Sequence, residues 1–233
     1  MGPSPGWRRI AAGCLLGAVW FAASGPVAAD TEDVVMLDPG HGGSDPGWVA
    51  PGGVPEKAAV LEFARRLRRA LADRGHAADL TRTQDRLPTQ QVRLSEVNAR
   101  SCRALLSLHL SRDERLHLFV QRPVRDEALT RAVEELVAAG GRATPLPFAQ
   151  NRHLRQSRRL ADLLAEAWQQ AHPGAPPALI CETDVSFLRG VAAPAVLVEL
   201  PWRAGPGAED PAATAPDGEG LVRGLQRFLA EGG

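Results

Sequence analysis

Three side chains of types that bind zinc lie where this sequence changes from one secondary structure to another. His41 is in a glycine-rich loop directly after an apolar run, Glu56 opens a helical pattern, and His109 ends a second apolar run. Two imidazoles and one carboxylate are the ligands of many catalytic zinc sites, which keep a fourth position for water. Each residue alone has a plainer interpretation as a loop, helix-end or strand residue. Together they predict zinc as cofactor, with His41, Glu56 and His109 as its ligands.

A fourth residue, Glu199, is an acid at a strand-like position. It lies within Val196-Leu197-Val198-Glu199-Leu200, a pattern typical of a central strand. An unpaired carboxylate there would cost several kcal/mol, so it needs a partner. Water activated by a neighbouring metal is one such partner, because the carboxylate can take its proton and later deliver it to a leaving amine. Glu199 is therefore predicted to be the catalytic acid and base.

Short apolar strands and amphipathic helices alternate around these residues. The helix that starts near Glu56 carries one apolar stripe, made of Val60, Ala64, Leu67 and Leu71. We predict strands over 33–37, 77–82, 104–109, 116–120 and 195–200, and further helices over 89–100, 125–139, 156–170 and at the chain end.

This alternation predicts the fold class. Strands separated by helices indicate a single α/β domain with a mostly parallel central sheet and helices on both faces. Ligand chemistry in such folds lies at the carboxyl edge of the strands. We therefore expect the zinc site at that edge.

The sequence around the four residues resembles the zinc-dependent N-acetylmuramoyl-L-alanine amidases, the type 3 family of bacterial cell-wall hydrolases. The resemblance covers about residues 33–111 and 156–230. The matching motifs are Leu37-Asp38-Pro39-Gly40-His41-Gly42-Gly43, Glu56-Lys57, Leu80-Thr81-Arg82 with Asp85, Arg93, Asn98-Ala99, Ser107-Leu108-His109 and Pro194-Ala195-Val196-Leu197-Val198-Glu199-Leu200.

The resemblance implies an activity and a set of roles. The substrate would be peptidoglycan, cleaved at the amide between N-acetylmuramic acid and L-alanine. Zinc would be bound by His41, Glu56 and His109, with Glu199 as the catalytic acid and base. Three basic residues at family positions are expected to support loops through ion pairs rather than to act in catalysis: Lys57, Arg82 and Arg93. The other histidines are expected to be exposed or structural: His76, His117, His153 and His172.

Two segments near the expected substrate groove depart from the family pattern. Pro201-Trp202-Arg203 replaces the usual Gly-Phe pair after the glutamate, and Leu110-Ser111 stands where an asparagine is usual. Two alternatives to the amidase stay open: the first is motivated by these changes, and the second requires only the same metal ligands. One is a catalytically weak protein of the same fold that binds peptidoglycan or regulates another hydrolase. The other is a zinc peptidase that cuts within the stem peptide.

Residues 123–152 are predicted to be an insertion. Some family members carry a helix here that covers the zinc until an activator displaces it. The helix predicted over 125–139 is thus a candidate lid, with Glu134 or Glu135 reaching the metal, and a protein activator is a candidate partner. The plainer interpretation, a surface helix that packs its Leu and Val residues, is favoured.

The first 29 residues are predicted to be an export signal. Arg8 and Arg9 precede an apolar run over 10–23, and Val27-Ala28-Ala29 supplies small residues for cleavage. The run is shorter than the ~20 residues of a membrane span, and no later segment approaches that length without charges. We therefore expect a mature catalytic domain over 30–233 that is exported, to the periplasm or else outside the cell, without stable membrane insertion.

Charge and cysteine content add two expectations. The formal net charge of the 233 residues is zero, which argues against nucleic acid as a partner. Of the three cysteines, Cys14 leaves with the signal. Cys102 and Cys181 are expected to be two buried free thiols rather than a disulfide.

Overall fold

The fold is taken from a computed structural model, which describes residues 33–50, 52–128, 131, 135, 146–201 and 217–232. The predicted export signal lies outside these residues. So do half of the predicted insertion, including Glu134, and residues 202–216. The lid and the Trp202-Arg203 departure therefore stay predictions.

Six strands and five α-helices make up the described domain. The strands are β1 (Val34–Pro39), β2 (Ala78–Leu80), β3 (Cys102–Ser111), β4 (His117–Gln121), β5 (Leu179–Thr183) and β6 (Ala195–Pro201). The helices are α1 (Glu56–Ala72), α2 (Gln90–Asn98), α3 (Leu154–Ala171), α4 (Ser186–Arg189) and α5 (Glu219–Ala230), and a 3-10 helix spans Leu146–Arg152. Of these, β5, α4 and the 3-10 helix were not expected from the sequence.

The strands form one sheet in the order β2-β1-β3-β6-β4-β5. Strands β1, β2, β3 and β6 run parallel to one another. Strand β4 is antiparallel to β6, and β5 is parallel to β4. The sheet is therefore mostly parallel, as predicted, and β3 lies between β1 and β6.

Hydrophobic clusters cover both faces of the sheet. Successive residues of β1 belong alternately to the two clusters. Val35 and Leu37 pack with α1, α3 and α5, whereas Val34 and Met36 pack with α2 and α4. The whole predicted stripe of α1 is buried in the first cluster: Val60, Ala64, Leu67 and Leu71. The expectation of one α/β domain with helices on both faces is confirmed.

Two further expectations concern thiols and membranes. Cys102 and Cys181 are both free, and each is partly buried rather than fully buried. Within the described ranges, every helix is too short or too polar to span a bilayer.

Candidate metal centre

Three polar side chains converge at the carboxyl edge of the parallel strands. His41 lies in the loop after β1, Glu56 is the first residue of α1, and His109 is near the end of β3. His41 Nε2 lies 3.1 Å and His109 Nδ1 lies 3.2 Å from Glu56 Oε1. The two imidazole nitrogens are 3.2 Å apart. The structure thus brings together the three predicted ligands, although they are far apart in sequence.

The spacing of these three atoms fits a metal ion. Bonds of ~2.0–2.1 Å in a tetrahedral zinc site place neighbouring donor atoms about 3.3 Å apart. The three observed separations are 3.1, 3.2 and 3.2 Å. Among the described residues this is the one group of histidine, cysteine and acidic side chains with the spacing of a metal site. The arrangement can therefore hold a divalent ion without rearrangement of the side chains.

The Glu56 carboxylate is fixed by backbone N–H groups. Leu110 N donates to Oε1 at 2.9 Å, and Trp48 N donates to Oε2 at 3.0 Å. Burial alone would raise the pKa of Glu56. Hydrogen bonds from the two histidines and from these backbone groups outweigh burial and hold the pKa well below its usual range. The carboxylate is therefore ionised and oriented before any ion binds.

His41 is oriented by Asp45, a residue that the sequence pattern does not mark as part of the site. Asp45 Oδ2 lies 2.8 Å from His41 Nδ1, which leaves Nε2 facing Glu56. The hydrogen bond to Glu56, followed by that to Asp45, raises the pKa of His41 against the effect of burial. A carboxylate behind a ligating imidazole is a recurrent feature of metal sites, where it fixes the ring and makes it more basic.

Two glycines make room for the ligand rings. A Cβ added at Gly40 would lie 2.3 Å from His109 Cε1. A Cβ added at Gly47 would lie 2.7 Å from His41 Cδ2 and 2.8 Å from Glu56 Oε2. These distances are too short for any side chain, so the loop backbone itself forms one wall of the centre.

Glu199 lies beside the centre on the next strand. It pairs with His109 across β3 and β6 and with His117 across β6 and β4, so the three side chains share one face of the sheet. Burial raises the pKa of the half-buried Glu199, and the neighbouring histidines partly offset this. Within the described part of the chain, no group hydrogen-bonds to its carboxylate.

His117, which carries no functional signal in the sequence, is largely buried next to Glu199. Its Nε2 lies 2.9 Å from Asp113 Oδ2, and its side chain is 18% exposed. Its ring also stacks on that of Phe119, with the two ring centroids 6.2 Å apart. The position of His117 beside Glu199 follows from the register of β4 against β6, the strand that carries Glu199.

A groove of about 260 Å³ opens beside His41 and His109 on the face that carries α2 and α4. Its lining also includes three apolar side chains, those of Leu87, Pro88 and Phe187. The amide of Gln90 donates to the Ser186 carbonyl at 3.1 Å, which joins the first turns of α2 and α4. The groove is thus lined both by candidate ligands and by apolar side chains.

The basic residues of the motifs support the loops, as expected. Lys57 Nζ forms an ion pair with Asp85 at 2.7 Å and also donates to the Gly43 carbonyl. Arg93 forms an ion pair with Asp38 at 2.6 Å. Arg82 differs from the prediction: its partners are backbone carbonyls instead of a carboxylate.

These features define a class, namely a single α/β domain with a His-Glu-His group that could hold a metal ion at the carboxyl edge of its sheet. The family profile described as N-acetylmuramoyl-L-alanine amidase matches residues 35–208. The chain therefore belongs to the type 3 N-acetylmuramoyl-L-alanine amidase family, and the resemblance found in its motifs is confirmed.

Individual relatives agree with this assignment. The chain is 28% identical over 222 residues to the N-acetylmuramoyl-L-alanine amidase AmiC of Neisseria meningitidis serogroup B, which covers 84% of this chain and 52% of that protein. It thus spans about half the length of this relative.

Solved structures share the fold. The N-acetylmuramoyl-L-alanine amidase AmiC2 of Nostoc punctiforme superposes with a TM-score of 0.61 at 20% identity, over 85% of this chain and 98% of that one. The CwlD amidase of Clostridioides difficile, solved in complex with the GerS lipoprotein, gives 0.58 at 18% identity, over 85% and 99%.

Proposed function

We propose that this chain is a zinc-dependent enzyme that hydrolyses the amide between the lactyl group of N-acetylmuramic acid and L-alanine in peptidoglycan. The observation that carries the proposal is the convergence of His41, Glu56 and His109 at separations of 3.1–3.2 Å. Membership of the amidase family supports the choice of substrate.

In this proposal the residues that would hold zinc are His41, Glu56 and His109, whose Nε2, Oε1 and Nδ1 atoms lie 3.1–3.2 Å from one another. A zinc ion bound there would supply Lewis-acid chemistry, polarising the scissile carbonyl and making water more acidic. The Glu56 carboxylate has its proton affinity lowered by its hydrogen bonds, so it stays an anionic ligand. Asp45 accepts a hydrogen bond from His41 Nδ1 and keeps the neutral ring turned with Nε2 inward.

Glu199 would move the proton. Hydrolysis forms a bond from water oxygen to the amide carbon and breaks the bond from that carbon to the L-alanine nitrogen. Glu199 would accept the proton that water gives up and deliver it to the departing amine. Its half-buried position raises its pKa, which favours the protonated carboxyl that the second half of this cycle needs.

The same proposal covers the location and partners of the chain. Residues 1–29 would direct export, and 30–233 would be the catalytic domain that reaches peptidoglycan in the periplasm or outside the cell. A protein activator is a further proposed partner. The complex of CwlD with the GerS lipoprotein is the reason to look for one.

The test uses purified 30–233 and soluble muropeptides, with products identified by mass spectrometry. We expect one zinc per chain, release of intact stem peptides from the glycan, loss of activity with a chelator and recovery with zinc. A chain that binds muropeptides but releases nothing would be a binding or regulatory module instead. Fragments cut inside the stem peptide would identify a zinc peptidase. Failure to bind zinc would reject both zinc-dependent hydrolases, the amidase and the peptidase.

A further inference from the structure

Two buried arginines lie beneath the loop that carries His41. The Arg82 side chain follows β2 and is fully buried, and Arg93 lies on α2 and is 7% exposed. Both donate to the same carbonyl, that of Pro39, at 2.9 Å from Arg82 Nε and 2.9 Å from Arg93 Nη1. A guanidinium has only donors, so neither side chain can itself bind a metal ion.

Arg82 connects two of the three ligand segments. Its Nη2 donates to the Gly40 carbonyl and to the Lys57 carbonyl, both at 2.8 Å. Gly40 directly precedes His41, and Lys57 directly follows Glu56. Because the guanidinium is planar and its donors are fixed, one rigid group sets the separation of these two backbones.

Arg93 connects His41 to the strand that carries the third ligand. Its Nη2 donates to the His41 carbonyl at 2.8 Å, while Nη1 pairs with Asp38 at 2.6 Å. The other oxygen of Asp38 accepts a hydrogen bond from Ser107 Oγ at 2.9 Å. Ser107 is two residues before His109 on β3, so this chain of contacts reaches the third ligand.

The arrangement is costly if its only purpose is to fill space. In the described ranges Arg82 has no carboxylate partner, and burial, followed by the charge of Arg93, lowers its pKa to about 10. Apolar side chains of similar volume generally stabilise a fold as well as buried charges do, or better. The supported loop is itself strained, since His41 has a φ of 59°. Because the two guanidinium groups donate to several backbone carbonyls of this strained loop, they fix its position.

We propose that Arg82 and Arg93 are positioning residues of the metal centre: through the backbone of 39–41 and 57 and through Asp38, they hold the three ligand segments at the spacing that zinc requires. This inference rests on the proposed function, because it takes the His41, Glu56 and His109 group to be the zinc site.

The test compares Arg82→Lys, Arg93→Lys and Ser107→Ala with the parent chain 30–233. Both lysine variants keep a positive charge but lose the planar fork, and Ser107→Ala removes only the contact between Asp38 and β3. Arg103→Lys is the matched control, because Arg103 also pairs with a carboxylate (Asp33, 2.9 Å) and a backbone carbonyl (Leu229, 3.2 Å) but lies at the opposite end of β3.

Zinc affinity is measured by competition with a chromophoric chelator, together with the melting temperature of the metal-free protein and the visible absorption of bound cobalt(II), which depends on coordination geometry. We expect each lysine variant to bind zinc about 10- to 100-fold more weakly, the usual effect of losing support behind metal ligands. Ser107→Ala should show a smaller loss in the same direction. The cobalt spectrum should change in the lysine variants, and Arg103→Lys should match the parent.

Two results would overturn the inference. One is lysine variants that fold and bind zinc within twofold of the parent, with an unchanged cobalt spectrum. The other is variants whose metal-free melting temperature falls while zinc affinity stays constant, which would mark a purely structural role. If Arg82→Lys does not fold, Arg93→Lys and Ser107→Ala decide the matter. A parent chain that does not bind zinc would instead reject the proposed function.

Discussion

The two glutamates of the centre differ in their surroundings, and the difference separates their proposed roles. Glu56 accepts a backbone N–H bond on each oxygen and is kept ionised. Glu199 has no such donor among the described residues, and burial makes its carboxyl hold a proton more readily. A permanently ionised carboxylate suits metal binding, whereas one that readily gains and loses a proton suits proton transfer.

Glu199→Gln tests this division of roles by replacing one carboxylate oxygen with an amide nitrogen. The amide keeps the shape of the side chain but cannot accept the proton, so we expect hydrolysis to fall by about 100-fold or more while zinc affinity stays within a few-fold. Rates come from the muropeptide assay and zinc content from metal analysis. Glu114→Gln, at an exposed acid in the turn before β4, serves as control. Near-normal turnover by Glu199→Gln would remove Glu199 from the mechanism.

The pKa values of His41 and Glu56 predict how the metal-free protein responds to pH. The raised pKa of His41 adds stability below its unfolded value of ~6.5, and this is lost as pH rises through the folded value. The lowered pKa of Glu56 adds stability above ~4.3, and this is lost as pH falls toward the folded value. We expect the free energy of unfolding in chelator to be highest between about pH 4.5 and 6.5.

Denaturant unfolding at a series of pH values checks this window, with His41→Gln as the comparison. That variant should lose the decline on the alkaline side. Zinc affinity should follow the opposite trend and increase with pH, since the ion must displace the proton from His41. An alkaline decline that is equally steep in His41→Gln would contradict the assignment.

At the level of elements, the loop between β1 and α1 brings its backbone against the end of β3. Gly40→Ala tests that contact, because the new methyl carbon would lie 2.3 Å from His109 Cε1 and must displace the ring. We expect zinc affinity to drop by about tenfold or more, as for other losses of support around metal ligands. Gly174→Ala is the matched control, since nothing lies within 4 Å of its added Cβ. Equal zinc affinity in the two variants would mean that the backbone at Gly40 moves enough to accommodate the methyl group without displacing the His109 ring.

The elements that the sequence predicts are those with a buried periodic face. The stripe of α1 and the apolar runs of β1, β3 and β6 each occupy the core, so their patterns match their structures. Strand β5 is an edge strand whose first residue, Leu179, is 40% exposed, and it therefore shows no alternation. Helix α4 has only four residues, too few to establish a helical period.

The same reasoning explains what could be predicted of the site. The convergence of His41 and His109 follows from parallel strands that end at one edge. The support from Asp45 depends on a tight turn, in which Gly42 and Asp45 hydrogen-bond to each other through their backbones. The proximity of His117 to Glu199 depends on the register of an antiparallel strand. Neither turn geometry nor register can be derived from composition or periodicity.

The predicted insertion can be replaced by a linker, because the residues at its two ends contact each other. Val124 N donates to Asn151 Oδ1 at 3.0 Å, and Asn151 Nδ2 donates to the Val124 carbonyl at 3.1 Å, so the segment starts and finishes at one place. Replacing 126–145 with a short Gly-Ser linker keeps this pair and the buried Gln150. We expect a folded protein with hydrolysis unchanged or lower, consistent with a surface helix. A clear increase in hydrolysis would establish that the segment acts as a lid.

At the scale of the whole molecule, the metal would join parts of the fold that the chain itself connects only through long stretches. His41, Glu56 and His109 belong to a loop, a helix start and a strand end. An ion bound to all three stabilises the folded chain over the unfolded one, in which these residues are dispersed. At a free zinc concentration 100 times the Kd, linkage gives about 2.7 kcal/mol, or roughly 5–10 °C in melting temperature for a domain of this size.

Thermal unfolding with zinc and with chelator measures this effect, and single substitutions show where it originates. His109→Ala should abolish the zinc-dependent increase in melting temperature, because two ligands hold the ion far more weakly than three. His76→Ala should preserve the increase, since His76 lies in the loop before β2, at the opposite edge of the sheet. An increase that survives in His109→Ala would show that zinc stabilises the chain from another location, and the three-ligand centre would then have to be abandoned.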